Sequence, residues 1–395
     1  MDIFEKCRNF TRVRETIAAG IYPYFTPLTG NDGPRVHIDG REIIMIGSNN
    51  YLGLTHDPRV IEAALAATRQ YGTSCSGSRF LNGTLDLHIK LEKKLAEFTK
   101  REAALIFSTG YMTNVGALST IAGSNDYLII DKSDHASIYA GIMAALRATI
   151  KRYNHNDMAS LEQVLQQIPD DKGKLIISDG VFSMEGDIVK LDELVKLAQK
   201  YGARVYIDEA HALGVTGKTG KGTCELFNLY DEVDLVMSTF SKSLGSIGGF
   251  VAGPAEVISY LQHKASALIF SAAPTAATTA TVLKILEIME EEPEHVQRLQ
   301  KISKMMQSEF KRIGFDTGVS KDTPIIPLYV RNDERTFLFW KKLFEAGIFA
   351  NAVVSPAVPP DESIIRTSFM STHSEDDLSK VLEIVTKVAR DLSVI

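Results

Sequence analysis

The chain has 395 residues, of which 45% are hydrophobic and 23% are charged, and its formal net charge is −6. This length favours two or three domains, and the composition is that of a globular protein, which excludes long disordered tracts. The negative charge provides no overall field that would attract nucleic acid, so we expect no nucleic-acid partner.

The three cysteines, Cys7, Cys75 and Cys224, lie far apart in the sequence. Their odd number and the lack of a CxxC pair argue against a disulfide framework and a zinc ribbon, and we expect no metal. A reducing cytoplasm is therefore the predicted location. The N-terminus has no apolar stretch of the kind that signal peptides carry. Residues 265–283 are uncharged but include Pro274, so we interpret them as a buried element and expect no stable membrane insertion.

Secondary structure is predicted from the spacing of apolar residues. Residues 1–50 are interrupted by glycine and proline and are predicted to be an N-terminal arm. The helices predicted after it are 58–71, 85–100, 158–167 and 191–201. The predicted strands are 103–107, 127–130, 174–178, 204–207, 235–237 and 249–252. Strands that alternate with helices in this way indicate a mostly parallel, doubly wound α/β sheet with both faces covered.

The pattern changes beyond residue 285, where helices dominate. The predicted helices are 282–290, 295–313 and 334–346, and the predicted strands are 325–330 and 364–368. We interpret residues 51–285 as a large domain that holds the ligand site and residues 286–395 as a smaller C-terminal α/β domain.

Reactive groups follow the predicted strands, at the sheet edge where open α/β sheets bind ligands. Gly110 and Tyr111 lie just after the first strand, at a turn into a helix whose free N–H groups suit an anion such as phosphate. His135 follows the second strand, and Ser183 lies in the turn after the third. Each of these turns, considered alone, is also compatible with an ordinary loop.

The last two strand ends carry more specific chemistry. Asp208 lies three residues before His211, and a carboxylate in this place can keep a ring nitrogen of a bound cofactor protonated. Lys242 comes shortly after Thr239 and directly after Ser241, and a lysine there can form a Schiff base when its surroundings lower its pKa. Together with the preceding turns, these groups are what pyridoxal 5'-phosphate (PLP) chemistry requires.

Two short motifs suggest a different class of protein. Residues 208–211 spell DEAH, as in some helicases, and residues 217–219 resemble the end of a P-loop. A P-loop needs a glycine where Ala212 stands, and its phosphate loop precedes the acidic box, whereas the order here is reversed. These observations argue against a nucleic-acid-dependent ATPase. A dinucleotide fold is also not predicted, because no G-x-G-x-x-G joins a strand to a helix.

A series of motifs covers nearly the whole chain. They lie, in order, at residues 48–53, 77–84, 134–137, 155–157, 179–186, 208–211, 239–242, 365–366 and 371–373. With these motifs the sequence resembles the α-oxoamine synthases, a family within the type I (aspartate aminotransferase-like) fold of PLP enzymes. The resemblance implies PLP as cofactor and a homodimer in which both chains contribute to each site.

The resemblance also implies roles for individual residues. Lys242 would bind PLP covalently and later move the α-proton of the substrate, and Asp208 would pair with the pyridine nitrogen. His135 would stack on the ring, while His211 and Ser183 would lie at its hydroxyl group. The residues implied to hold the phosphate are Gly110, Tyr111, Thr239 and Ser241. Arg366 would receive the amino-acid carboxylate, with Asn50 nearby, because a guanidinium fork suits a carboxylate.

The implied reaction is a decarboxylative condensation of an amino acid with an acyl-CoA thioester. Residues 239–243 read T-F-S-K-S, which is typical of the members that join L-serine to palmitoyl-CoA or another long-chain acyl-CoA. That reaction gives 3-ketodihydrosphingosine, the first intermediate of sphingolipid synthesis. In residues 354–359 the sequence departs from some bacterial members of this kind, which carry an arginine in an R-P-P-A-T-P loop. A carboxylate-binding role of that arginine is absent here or is taken over elsewhere.

Other functions stay open at this point. Members that use glycine or alanine, the 2-amino-3-ketobutyrate CoA ligases and the 8-amino-7-oxononanoate synthases, typically read T-L-G-K-A around the lysine. A protein of this fold that acts only as a binding or regulatory module is a further alternative, against which the intact Lys242, Asp208, His135 and Arg366 argue. Because the implied product is a lipid, transient peripheral contact with membranes is compatible with the sequence.

Overall fold

The computed structural model describes residues 2–145 and 147–395. Its helices are α1 (Glu5–Arg8), α2 (Arg12–Ala18), α3 (Pro58–Tyr71), α4 (Asp86–Thr99), α5 (Gly110–Ile121), α6 (Ala136–Ala144), α7 (Met158–Leu165), α8 (Leu191–Lys200), α9 (Thr223–Phe227), α10 (Ala255–Lys264), α11 (Ser266–Ile269), α12 (Ala276–Glu291), α13 (Glu294–Ile313), α14 (Asp333–Glu345) and α15 (Glu375–Asp391). Its strands are β1 (Gly30–Asn31), β2 (Arg35–Ile38), β3 (Arg41–Met45), β4 (Ala103–Phe107), β5 (Asp126–Asp131), β6 (Thr149–Tyr153), β7 (Gly173–Asp179), β8 (Arg204–Asp208), β9 (Leu235–Thr239), β10 (Gly249–Gly253), β11 (Ile325–Tyr329), β12 (Ile348–Phe349), β13 (Asn351–Val353) and β14 (Ile364–Ser368).

A seven-stranded sheet forms the centre of the fold, in the order β4-β10-β9-β8-β7-β5-β6. Its strands pair in parallel except β10, which is antiparallel to both β4 and β9. Successive residues of β5 point to opposite faces, so that Ile129 packs with α7 and α8 while Ile130 packs with α5 and α6. Burial on both faces explains the nearly continuous apolar runs, and the predicted α/β fold is confirmed.

The C-terminal part contains a second sheet, in the order β11-β14-β13, which is antiparallel. Helices α13, α14 and α15 contribute Phe310, Phe339 and Val385 to one apolar cluster with Ile326 and Ile365 of the sheet. All the strands and helices predicted for this region are present, with ends that differ by one residue at most, except that α12 begins at residue 276 and not at residue 282. The division at residue 285 stays a prediction.

The N-terminal segment differs from the predicted arm because it contains strands. β1, β2 and β3 form an antiparallel ladder, and β3 pairs in parallel with β12, with Ile44 opposite Ile348. In β2 only Val36 and Ile38 are buried, so the alternation spans four residues between turns. Such a short run is a weak signal, and the pairing partner lies about 300 residues away in the sequence.

Residues 265–283 contain α11 and the first half of α12. Val282 is fully buried, as expected, but Phe270 is 86% exposed, so the segment is only partly the buried element that we predicted. Within the described residues, no helix combines the length and apolarity needed to cross a membrane. Several elements were not predicted at all, among them α6, α10, α15 and β6.

Candidate active site

A cavity of about 320 Å³ lies beyond the carboxyl ends of the central strands. The predicted residues that line it are Gly110, Tyr111, His135, Asp208, His211, Thr239, Ser241 and Lys242. The structure thus brings together every predicted cofactor residue except Ser183, although these residues come from turns spread over more than 130 positions. This gathering follows from parallel strands, whose carboxyl ends meet at one edge of the sheet.

A second cavity of about 460 Å³ adjoins the first and shares His135, His211 and Lys242 with it. Arg366 and Ser183 line this second cavity, so Ser183 lies on the Arg366 side of the site. The shared residues form the boundary between the two cavities. A ligand in one cavity would therefore contact the same lysine as a ligand in the other.

The N-terminus of α5 forms one end of the first cavity. Thr109 caps this helix, since its hydroxyl accepts a 3.1 Å hydrogen bond from the amide of Met112. At Gly110 a Cβ atom would lie 2.6 Å from Oγ1 of Thr239, so only glycine leaves the helix end open. The hydroxyls of Thr239 and Ser241 lie 2.9 Å apart beside it. Helix N–H groups and hydroxyls in this arrangement suit a phosphate.

Asp208, the last residue of β8, is 3% exposed and firmly oriented. Its Oδ2 accepts a 2.7 Å hydrogen bond from Nδ2 of Asn114, and its Oδ1 accepts a 2.9 Å bond from the amide of Ala210. Asn114 is fixed in turn, because its Oδ1 accepts from the hydroxyl of Tyr206 at 2.7 Å. A buried carboxylate held in this way has one orientation to offer a cationic ligand nitrogen.

His135 caps the N-terminus of α6 with its own ring. Its Nδ1 accepts from the amide of Ser137 at 3.2 Å, and because an amide can only donate, the proton of the neutral ring lies on Nε2. The Ser137 hydroxyl, 2.7 Å from Nδ1, accepts from Asn114 at 2.8 Å and donates to the ring. Burial lowers the pKa of His135, although the charge of Asp208 opposes this shift. The ring is therefore held neutral and in a single tautomer.

Lys242 lies three residues after β9 and is partly buried. Burial lowers the pKa of its amine to about 8, although the carboxylates of Asp208 and Asp179 favour the charged form. A neutral amine is the nucleophilic form of lysine, and it reacts with carbonyl groups. At neutral or slightly basic pH, Lys242 thus has a far larger reactive fraction than an exposed lysine.

His211 and Arg366 are linked through Tyr51. The Tyr51 hydroxyl lies 2.7 Å from Nδ1 of His211 and 3.5 Å from Nη2 of Arg366. Burial lowers the pKa of His211 well below its usual range, and the positive charges of Lys242 and Arg366 add to this effect. His211 is therefore a neutral ring that can exchange hydrogen bonds with a ligand without carrying charge.

Arg366 is 4% exposed and is anchored on one side only. Its Nε donates to the Ser183 carbonyl at 2.7 Å, and its Nη2 donates to Oδ1 of Asn49 at 3.1 Å. Among the described residues, none accepts a hydrogen bond from Nη1. In the described lining of the second cavity, Arg366 is the one guanidinium. The group is therefore oriented and still able to bind a carboxylate.

Asn50 differs from its expected place beside Arg366. Its Nδ2 donates to Oγ1 of Thr55 at 2.8 Å, and the neighbouring Asn49 lines the second cavity and contacts the guanidinium. Two consecutive asparagines in irregular backbone point in different directions, which the sequence pattern does not reveal. A substrate contact of Asn50 stays a prediction.

Several site residues were not predicted, namely Asn114, Ser137, Asp179, Asn49 and Tyr51. Asn114 carried a recognisable signal, because it is an amide side chain one turn after Gly110, on the buried side of a helix whose only other polar buried side chain is that of Thr113. Tyr51 carried no comparable signal, since an aromatic residue in this segment is equally typical of a core position.

The residues of the first cavity fit PLP. The phosphate would fit at the N-terminus of α5, which is open because Gly110 has no Cβ, beside the hydroxyls of Thr239 and Ser241. The buried carboxylate of Asp208 suits a protonated ring nitrogen. The amine of Lys242, with its lowered pKa, suits the aldehyde. The sheet order and this site together define the type I fold of PLP-dependent enzymes. The chain belongs to the aminotransferase class I and II family, whose model matches residues 41–385.

Comparison with known proteins gives more specific relatives. Serine palmitoyltransferases of Sphingobacterium spiritivorum and Bacteroides thetaiotaomicron are 49% and 46% identical over 99% of this chain, covering 97% and 99% of theirs. A serine palmitoyltransferase from S. paucimobilis, solved with a bound PLP–myriocin aldimine, superposes with a TM-score of 0.97 at 32% identity and full coverage of both chains. An 8-amino-7-oxononanoate synthase of Thermoanaerobacter pseudethanolicus is 40% identical over 97% of both chains.

Proposed function

We propose that this protein is a PLP-dependent acyltransferase that catalyses the serine palmitoyltransferase reaction. L-serine and palmitoyl-CoA are condensed to 3-ketodihydrosphingosine, with release of CoA and CO2. The observation that carries the proposal is the place of Lys242, which lines both the cavity that fits PLP and the cavity that contains Arg366. Relatives named for this activity are similar over nearly the whole chain.

When bound, PLP supplies an electron sink that stabilises negative charge at the α-carbon of an amino acid. The N-terminus of α5, with Gly110 and Tyr111, and the hydroxyls of Thr239 and Ser241 would hold its phosphate. Asp208 would keep the pyridine nitrogen protonated, and His211 would hydrogen-bond the ring hydroxyl. Ser183 was assigned to the same hydroxyl, but its position beside Arg366 favours a role on the substrate side.

Lys242 is proposed as the residue that bonds the cofactor through Nζ and moves the α-proton of the substrate. Its lowered pKa makes both steps accessible near pH 8, because the amine can then be neutral in one step and accept a proton in another. His135 would present a neutral ring beside the cofactor. Because the amide of Ser137 donates to Nδ1, the ring carries its proton on Nε2.

Arg366 would bind the carboxylate of L-serine. Its contacts to Ser183 and Asn49 fix the plane of the guanidinium, so the carboxylate is received in one orientation. Orientation matters because this carboxylate is later lost as CO2, and the bond that breaks must be aligned with the electron sink. A loop arginine near residue 354 is not required if Arg366 alone provides the charge.

The acyl-CoA would approach from the second cavity, part of whose lining is apolar. Ala352, Val353, Val354 and Ala357 line it, together with Tyr24, whose hydroxyl lies 3.4 Å from the carbonyl oxygen of Ala352. Small aliphatic side chains suit the methylene chain of a fatty acyl group. The proposed reaction therefore has a polar subsite for L-serine and an apolar lining for its acyl partner in one cavity.

We also propose that the enzyme is a homodimer. Ile247 and Tyr111 line the first cavity, yet they are 63% and 52% exposed, which is unusual for large side chains at a cofactor site. A second copy that covers them would explain this exposure. A cytoplasmic location, with at most peripheral membrane contact, accords with the free Cys7, Cys75 and Cys224.

The decisive experiment measures CoA thiol release by the purified, PLP-loaded protein from palmitoyl-CoA, acetyl-CoA or pimeloyl-CoA, with L-serine, glycine or L-alanine as the only amino acid. Release that depends on L-serine is the expected result. Release only from glycine with acetyl-CoA, or only from L-alanine with pimeloyl-CoA, would replace the proposal by one of the two related synthase activities. No release under any condition would favour a binding module.

A further inference from the structure

A buried cluster of titratable residues lies next to the turn that carries His135. Its members are Asp131, Asp134, His155, Asp179 and Asp187. Of these, only Asp179 lines the cavity. The proposed reaction uses none of them directly, although burying four carboxylates costs free energy unless they are paired.

His155 is the cation of this cluster. Its Nδ1 lies 3.1 Å from Oδ1 of Asp131, which is fully buried, and its Nε2 lies 3.3 Å from Oδ2 of Asp187, at ion-pair distance without hydrogen-bond geometry. Burial disfavours the charged ring, but the contacts to both carboxylates outweigh it and raise the pKa of His155 to about 10. Phe182 packs edge-on against the ring, with centroids 4.4 Å apart.

One arm of this cluster leads to His135. Asp131 donates through its amide to Oδ2 of Asp134 at 3.0 Å, and Oδ1 of Asp134 accepts from the amide of Asp179 at 2.9 Å. Asp179 then accepts a 3.1 Å hydrogen bond from the amide of His135. The backbone position of His135 is therefore determined by carboxylates whose first member is held by His155.

The other arm leads to Arg366. Asn156, the neighbour of His155, donates to Asp187 and to the carbonyl of Ile188, both at 2.9 Å. These bonds fasten the end of the turn at residues 180–188, and the carbonyl of Ser183 in this turn accepts from Arg366. The backbone amide of Asn156 also donates to Oδ2 of Asp131 at 2.6 Å. The segment of His155 and Asn156 therefore contacts the first residue of both arms.

We infer that His155 is a positioning residue. It fixes the turn that carries His135 relative to the turn that carries Ser183, so that the cofactor and the substrate carboxylate are held at the right distance from each other. The inference rests on the proposed function for the identity of the substrate. It does not require contact of His155 with either ligand. Removal of the imidazolium leaves Asp131 and Asp187 unbalanced, and the two turns are then free to shift relative to each other.

The test compares the PLP-loaded wild type with His155→Gln. Visible-range circular dichroism of the bound PLP reports the asymmetry of its surroundings, and it is expected to change in the variant. We expect KM for L-serine to rise and kcat to fall, with kcat/KM lower by about 10- to 100-fold, as for a small misplacement of reacting groups. His295→Gln is a matched control, because His295 also pairs with a carboxylate, that of Glu292, and its side chain is also 24% exposed.

A merely structural role would lower the melting temperature but leave the dichroism and kcat/KM of the folded, loaded variant within about twofold of wild type, and this result would overturn the inference. If His155→Gln does not fold, Asp187→Asn answers the same question, since it removes one charge and keeps the shape. Failure of the proposed function is distinguishable, because the wild type itself would then show no serine-dependent CoA release while the dichroism comparison still holds.

Discussion

Nδ2 of Asn114 donates a 2.7 Å hydrogen bond to Oδ2 of Asp208 across 94 positions of sequence. The same amide donates to Ser137, and its carbonyl accepts from Tyr206, so all three polar contacts of Asn114 are buried. One side chain thus orients both the carboxylate proposed for the cofactor nitrogen and, through Ser137, the ring of His135. Helix α5, which carries Asn114, therefore orients side chains in two different parts of the site.

Asn114→Ala is predicted to lower both stability and activity. The substitution leaves Oδ2 of Asp208 and the Tyr206 hydroxyl, both buried, without their hydrogen-bond partner, which costs about 1–3 kcal/mol in the free energy of unfolding. Urea unfolding monitored by circular dichroism measures this change. Asn9→Ala, at an exposed position, is the control and should leave the unfolding midpoint unchanged. Equal stability of the two variants would contradict the importance of this amide.

The reaction of the cofactor-free protein with PLP is predicted to depend on pH through Lys242. The amine must lose its proton to attack the aldehyde, so the rate should rise as the pH increases and level off above a midpoint near the pKa of about 8. The growth of absorbance after PLP is added, followed between pH 6.5 and 10, measures the profile. Lys242→Ala should give no such covalent signal. A midpoint near the ordinary lysine pKa would show that burial does not lower it.

The sequence predicted those elements best whose ends are marked locally. Helix α3 matches its predicted range because Pro58 begins it after the cap Asp57, and Gly72 ends it. Strand β4 also matches, since a continuous apolar run of this length fits a strand buried on both faces. Strands β2 and β3 were missed, because their partner β12 lies far away and local alternation is short.

The site was predictable at the level of strand ends but not at the level of contacts. Asp208 and Lys242 stand out because reactive groups after buried strands are brought together by any parallel sheet. The contact of Arg366 with Ser183 spans 183 positions, and no local period encodes it. For the same reason the sequence did not distinguish Asn49 from Asn50 as the neighbour of the guanidinium.

Arg366→Lys is predicted to weaken the binding of L-serine, although lysine keeps the positive charge of arginine. Lysine cannot reproduce the planar fork that donates to Ser183 and Asn49 while it receives a carboxylate. The lost charge-assisted hydrogen bonds correspond to about 1.5–3 kcal/mol, or about a 10- to 100-fold increase in KM for L-serine. Steady-state kinetics at saturating palmitoyl-CoA measure KM. The exposed Arg312→Lys is the control, and a similar KM in both variants would refute the proposed role of Arg366.

Gly110→Ala tests whether the N-terminus of α5 holds the phosphate of PLP. The new Cβ would lie 2.6 Å from Oγ1 and 2.7 Å from Cβ of Thr239, so either the helix end or the Thr239 turn must move. Overpacking of this kind costs about 1–3 kcal/mol, and we expect the affinity for PLP to fall by about tenfold or more. Gly123→Ala, whose Cβ meets only Oδ2 of Asp126 at 3.5 Å, is the matched control. Equilibrium dialysis of each variant against PLP gives the affinities, and wild-type affinity in Gly110→Ala would place the phosphate elsewhere.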